Sequence, residues 1–204
     1  KKELQKLEEK YKFLKSKDSV SLIVGHKPSK NFKKVQHRVP MLSLSNAFGE
    51  EDLKNFEKRI LNYLSENEDF KICYSAEPKI DGISASLIYK NGIFEKGLSR
   101  GDGKEGEDIT ENLKTIKDIP KLIKSKDFPN EIDIRGEVFI QNSDFENLKE
   151  KFANPRNAAS GTLRQKNPAD TKKIPLKFIA YTFGFENGLN LSTQSEFLKR
   201  LKEW

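Results

Sequence analysis

The sequence predicts an α+β domain with mostly antiparallel sheets, preceded by a helical arm. Three observations carry that prediction. Two apolar runs face each other across Asn91-Gly92, isolated strand-like runs follow at 131–140 and 175–183, and helix-period patterns stand apart from all of them. Leu4, Leu7, Tyr11 and Leu14 recur at helical spacing and make residues 1–15 an amphipathic helix. Residues 16–38, polar and broken by Gly25 and Pro28, read as a linker or extended arm. Leu53, Phe56, Ile60 and Tyr63 mark a second helix beginning near Gly49. The period then changes, and the alternation of Phe70, Ile72 and Tyr74 predicts a strand. Runs 83–90 and 93–98 flank Asn91-Gly92, a dipeptide suited to a two-residue hairpin turn. Ile132, Ile134, Val138 and Ile140 place a strand at 131–140, and another follows Pro175 over 175–183. Thr193 and Glu196 form a capping box for a last helix carrying Phe197 and Leu201.

A length of 204 residues fits one large domain, or one and a half ordinary ones. With 35% apolar residues there is enough for a core, and no apolar run reaches the roughly 18 to 20 residues of a membrane span. One cysteine, Cys73, and two histidines can form neither a disulfide framework nor a zinc site. The opening Lys1-Lys2-Glu3 is no signal peptide, so a soluble protein of a reducing compartment is expected. The chain has no initiator Met and stops at Trp204 within a helical pattern, which leads us to expect a fragment.

Charge is unevenly spread. Residues 1–38 hold twelve Lys and Arg against four acids, a net of +8, which leaves −1 for residues 39–204 out of a total of +7. Such an arm can meet nucleic acid or can simply be a solvated lysine-rich face. Lys outnumbers Arg by 31 to seven, so an Arg marks a need for a fixed guanidinium fork. Arg100, Arg135, Arg156 and Arg164 fall in the motifs that follow.

Glu77-Pro78-Lys79-Ile80-Asp81-Gly82 lies between two predicted strands. It is either a turn with a solvated lysine or the seat of a nucleophile. A lysine attacks only as the neutral amine, which burial or a nearby cation favours, and phosphorus is a natural electrophile for it. Gly101-Asp102-Gly103-Lys104-Glu105-Gly106 spells the dinucleotide pattern GxGxxG, but Asp102 and Glu105 would repel a pyrophosphate and no βαβ unit surrounds it. Arg135 and Glu137 alternate with apolar residues and so form either a polar sheet face or a surface ion pair. Arg156 and Arg164 are eight apart, nearly one helical face, with Ala158, Ala159, Ser160 and Gly161 between them. They are either phosphate contacts or helix packing. Tyr181 in an apolar strand would on its own be core.

Lys79-Ile80-Asp81-Gly82 matches the KxDG motif of covalent nucleotidyltransferases. The segments Pro40-Met41-Leu42-Ser43-Leu44, residues 100–110, Arg135-Gly136-Glu137 and residues 152–165 make the resemblance specific. In order and spacing they resemble the adenylation domain of the bacterial NAD-dependent DNA ligase family, from about residue 4 to Trp204. That resemblance implies a nucleotidyltransferase (ATP-grasp-like) domain. Residues 1–38 would be a helix and basic linker, the tail of a nicotinamide-mononucleotide-binding region, and residues 39–204 the adenylation domain, incomplete at its C-terminal side. It implies that Lys79 attacks the α-phosphate of NAD, with Asp81 orienting it or assisting a metal. Glu77 would contact the adenine edge, with Pro78 placing its backbone. Arg100 and Glu137 would bind the ribose, Tyr181 would stack on adenine, and Ser43 and Leu44 would line the NAD site. Arg156 and Arg164 would touch duplex DNA. NAD, Mg²⁺, nicked double-stranded DNA and a monomeric cytoplasmic bacterial enzyme complete the expectation, with Zn²⁺ only in a downstream domain of the parent. The stretch from Asp144 to Phe152 is shorter than in the family, and Pro78 stands where Leu is commoner. The family's DGVVIK segment and final lysine motif do not occur in these residues.

Overall fold

A computed structural model describes residues 2–14 and 32–204. It divides into two compact units: residues 42–78, and the remainder.

In the larger unit, helix α1 (Lys2–Lys10) opens the chain. Strand β1 (Lys34–Gln36) lies within the stretch expected to be linker, of which residues 16–31 lie outside the described residues. Strands β2 (Ile83–Lys90) and β3 (Ile93–Ser99) form the hairpin that Asn91-Gly92 predicts. Both turn residues have positive φ, 49° and 78°, the signature of the turn whose twist matches antiparallel strands. A Cβ at Gly92 would also stand 2.2 Å from the Ile123 carbonyl oxygen. Next come β4 (Glu105–Glu107), the short α3 (Thr110–Leu113), β5 (Glu131–Phe139), α4 (Asn142–Phe145), α5 (Pro155–Leu163), α6 (Pro168–Thr171), β6 (Lys177–Asn187) and α7 (Gln194–Glu203).

The main sheet is antiparallel with order β3-β2-β5-β6, while β1 pairs with β4 in a separate two-stranded ribbon. Its two faces follow from strand alternation. Ile132, Ile134 and Val138 alternate along β5 with Asp133, Arg135 and Glu137, and both sets are buried. The apolar set joins Ala85, Leu87 and Tyr89 in the core, with Leu163 and Ala159 of α5 and Phe197 of α7. Removing such a residue, Leu163→Ala for example, would cost about 2–5 kcal/mol. The capping box of α7 is formed: the Glu196 N–H donates to Thr193 Oγ1 at 3.2 Å and the Thr193 N–H to Glu196 Oε2 at 3.2 Å. It seats Phe197 5.0 Å from the Phe183 ring.

The polar face is covered by the chain entering the domain. Arg38 forks onto Glu131 and Asp133, and its guanidinium lies 3.9 Å from the Phe185 ring centre. Arg135 donates to the carbonyls of Val39 and Pro40.

The smaller unit contains α2 (Glu50–Leu64), starting at Gly49 as the periodicity predicts. Residues 70–74 do not form the expected strand. Instead, the Tyr74 ring lies 6.5 Å from Phe56 of α2, and its hydroxyl donates to Glu57 at 3.5 Å.

Candidate active site

Four strands bring their polar groups to one end of the main sheet. Lys79 and Asp81 lead into β2, Ser84 is its second residue, Arg100 follows β3, Glu137 is in β5 and Tyr181 in β6. The register sets Ser84 directly opposite Glu137, and the Ser84 hydroxyl donates to Glu137 Oε2 at 2.8 Å. The Arg100 N–H donates to the Ser84 carbonyl at 3.3 Å, tying the end of β3 to the same spot.

Tyr181 arrives there through an irregularity. Arg135 pairs with Thr182 and Gly136 with Ala180, so Tyr181 is the extra residue of a β-bulge. A bulge re-aims a side chain that strict alternation would send elsewhere. The Tyr181 hydroxyl hydrogen-bonds with Ser84 and lies within the field of Glu137, Arg135 and Arg100, while burial pushes its pKa up.

Glu137 is the buried centre of the cluster. Burial pushes its carboxyl above the ordinary value. The Ser84 hydroxyl and the charges of Arg156, Lys79 and Arg100 oppose that shift. One buried carboxylate is thus faced by three cations, and the site has positive charge to spare. A carboxylate accepts from ribose hydroxyls, surplus cations meet phosphate, and a tyrosine face offers a base a platform.

The raised value makes Glu137 a cost to stability at neutral pH. Below about 4.5 both folded and unfolded states are protonated and the cost vanishes; above the raised folded value it is complete. Glu137→Gln should therefore raise unfolding stability at pH 7 by up to about 1 kcal/mol. That gain should shrink as pH falls toward the unfolded value. Denaturant melts at pH 7 and pH 4.5 check both the gain and its loss.

Lys79 and Asp81 are exposed, and Arg156 Nη1 stands 3.1 Å from Asp81 Oδ1. Exposed pairs of this kind are worth at most about 1 kcal/mol, so Arg156 can exchange one anion for another. The two arginines expected on one helical face part company. Arg156 is in the first turn of α5, but the helix ends at Leu163 and Arg164 is its C-cap at φ −101°, ψ 14°. Arg164 Nε reaches Glu107 at 3.0 Å, a carboxylate with no exposed surface, and Arg164 Nη1 donates to Ser160 at 3.2 Å.

Residues 101–104 form a turn that leads into β4. Gly101 and Gly103 have φ of 57° and 96°. Asp102 Oδ1 accepts the N–H groups of Glu105 and Lys104, which hold its carboxyl below the ordinary value. Ser43, Leu44, Glu77 and Pro78 belong to the smaller unit; there Ser75 Oγ donates to Glu77 Oε1 at 2.9 Å, and Leu44 is exposed.

Sequence reasoning missed Ser84 and Glu107. Ser84 had a signal, since it shares a strand face with Ser86 in an otherwise apolar run. Glu107 had none: in Glu105-Gly106-Glu107-Asp108 nothing marks one carboxylate as buried.

A lysine beside a buried carboxylate faced by cations, at the end of an antiparallel sheet, fits the covalent nucleotidyltransferase class. Within it, the chain belongs to the NAD-dependent DNA ligase adenylation domain family, whose model matches residues 29–204. It is 67% identical over 204 residues to a DNA ligase of Pelagibacter ubique, covering 100% of this chain and 30% of that protein. DNA ligases of Rickettsia massiliae (48% over 206 residues) and Parvibaculum lavamentivorans (47% over 206) are each covered over 29% of their length, by 97% of this chain. The chain thus spans about three tenths of the curated relatives it matches. Among the described residues, no helix is long and apolar enough to cross a membrane.

Proposed function

We propose that this chain forms the nucleotide-transfer site of an NAD-dependent DNA ligase, which seals nicks between a 5′-phosphate and a 3′-hydroxyl in duplex DNA. The observation that carries the proposal is the buried Glu137 carboxylate faced by Lys79, Arg100 and Arg156. The Lys79 amine attacks the α-phosphate of NAD. The new N–P bond replaces the bond to the nicotinamide-side phosphate oxygen, which leaves with nicotinamide mononucleotide, and the amine proton passes to solvent or to Asp81. The 5′-phosphate of the nick then takes AMP from Lys79, and the 3′-hydroxyl displaces AMP. Glu137 and Arg100 hold the ribose, Tyr181 stacks on adenine, Glu77 reads its edge with Pro78 placing that backbone, and Ser43 and Leu44 line the nicotinamide side.

Mg²⁺ accompanies the nucleotide. Its ligands would be chiefly phosphate oxygens, as is usual for magnesium bound with a nucleotide. The domain is ATP-grasp-like, with residues 1–38 the tail of a nicotinamide-mononucleotide-binding region and 39–204 the adenylation domain. The enzyme acts as a cytoplasmic bacterial monomer.

A full-length ligase can be assembled by setting these 204 residues into the Pelagibacter ubique relative. Sealing of nicked duplex that needs NAD, is not supported by ATP and releases nicotinamide mononucleotide is the expected result. Sealing with ATP, or salt-sensitive DNA binding without any sealing, would contradict it.

Arg156 and Arg164 contact DNA phosphates in this reading. Arg156→Ala should keep the lysine adduct and weaken joining by about tenfold, with a salt slope shallower by about one unit. Loss of the adduct would instead assign Arg156 to the nucleotide.

A further inference from the structure

His37 has no part in the scheme above, yet it is fastened to it. Residues 33–41 run along residues 103–108 as a ladder. The Asp108 N–H donates to the Lys33 carbonyl, the His37 N–H to Lys104 and the Met41 N–H to Gly103, each at 2.8 Å, with the β1–β4 pairs between them. Within this ladder the imidazole Nε2 stands 3.1 Å from the Arg100 carbonyl oxygen. A carbonyl only accepts, so Nε2 must carry the proton. The same oxygen accepts the Gly103 N–H at 3.0 Å, and both donors together fix the peptide plane after Arg100.

The ring is not a loose surface group. A Cβ at Gly106 would come within 3.0 Å of Nε2, so the imidazole lies against bare backbone. Its neighbour Arg38 is forked onto Asp133 and Glu131. Arg135 holds the carbonyls of Val39 and Pro40, its guanidinium lying where any side chain at Gly184 would stand. Burial first, and the Arg135 charge with it, hold the imidazole below its ordinary value. At neutral pH the ring is therefore neutral, with its one proton on the nitrogen that faces the carbonyl.

We infer that His37 is a positioning residue: by donating Nε2–H to the Arg100 carbonyl, it fixes the direction in which the Arg100 side chain leaves the backbone and so pre-orients it for the nucleotide. Without that donor, the turn through Gly101 and Gly103 keeps a single hydrogen bond at its first carbonyl. Gly-containing turns have the backbone freedom to drift. Arg100 would then have to be ordered by the nucleotide itself, which weakens binding.

The inference rests on the reading of the site as an NAD site, and the test separates the two. Single-turnover adenylation of the assembled full-length ligase, at a series of NAD concentrations, gives a half-saturating concentration and a limiting rate. His37→Phe should raise the first about five- to tenfold and change the second by less than about twofold. His37→Gln can place an amide N–H near the same point and should stay within about twofold of the parent on both. In an Arg100→Ala background, His37→Phe should add less than about a further twofold, because the group it positions is gone. An unchanged half-saturating concentration, or an undiminished loss in that background, overturns the inference. A lowered melting temperature alone, with no change in half-saturation, assigns His37 a purely structural role and overturns it equally. Should His37→Phe fail to fold, imidazole ¹⁵N shifts of the unmutated protein decide: an Nδ1–H tautomer contradicts the assignment. Absence of any adduct in the unmutated ligase refutes the NAD reading itself.

Discussion

Lys79→Arg abolishes formation of the lysine adduct, with a loss of at least about 10⁴-fold in rate, the scale on which removal of a nucleophile acts. Arginine keeps the positive charge that faces Glu137, so nucleotide binding should persist. What it cannot do is present a lone pair, because a guanidinium stays protonated across the working pH range. Lys79 is exposed and leads into β2, so its replacement strands no buried partner and the fold should be unaffected. The loss is confined to the first step. Given a nick whose 5′-phosphate already bears AMP, the variant should still join it, since the 3′-hydroxyl attack does not use the lysine. Quenched-flow adenylation and sealing of the pre-adenylated nick check the two halves.

Arg164→Ala should lower unfolding stability by about 3 kcal/mol, the lower end of the range for breaking a buried ion pair, because the arginine itself is partly solvated. Glu107 has no exposed surface, and the Arg164 guanidinium lies 3.0 Å from its carboxylate. The Ser99 hydroxyl donates to the same carboxylate at 3.5 Å and accepts the Glu107 N–H at 3.0 Å. Truncating the arginine removes the ion pair that offsets the cost of burying this charge. A joining defect in Arg164→Ala is therefore ambiguous, since it mixes loss of a phosphate contact with a weakened fold. The double variant Arg164→Ala/Glu107→Gln resolves the ambiguity. Removing the buried charge as well should recover about half or more of the lost stability while the joining defect remains. Recovery of joining together with stability would reduce Arg164 to a structural partner of Glu107.

The strongest local rules were readable in advance. Asn91-Gly92 dictates its turn through two positive φ values, and the Thr193–Glu196 box is satisfied by groups three residues apart, so neither depends on the rest of the chain. Alternation was less informative. Phe70, Ile72 and Tyr74 look like a strand, but the segment forms none and the Tyr74 ring packs on Phe56 of α2. Residues 34–36 carry no strand pattern, and they pair only because 105–107 lie alongside. The site followed the same division. KxDG and Arg135-Gly136-Glu137 announced themselves as motifs, and the register opposite β2 gathers Glu137 and Ser84. Tyr181 needed a bulge that no local pattern predicts, and the carboxylates that pair with Arg164 and Arg38 and the carbonyl that faces His37 lie 57 or more residues away in sequence.

The most direct test is the intact mass of the full-length ligase assembled around this chain, incubated with NAD and Mg²⁺ and then digested to locate the adduct. The account predicts a gain of one AMP per chain, carried by the peptide containing Lys79 and absent from Lys79→Ala. No gain in mass, or an adduct that survives in Lys79→Ala, would contradict it.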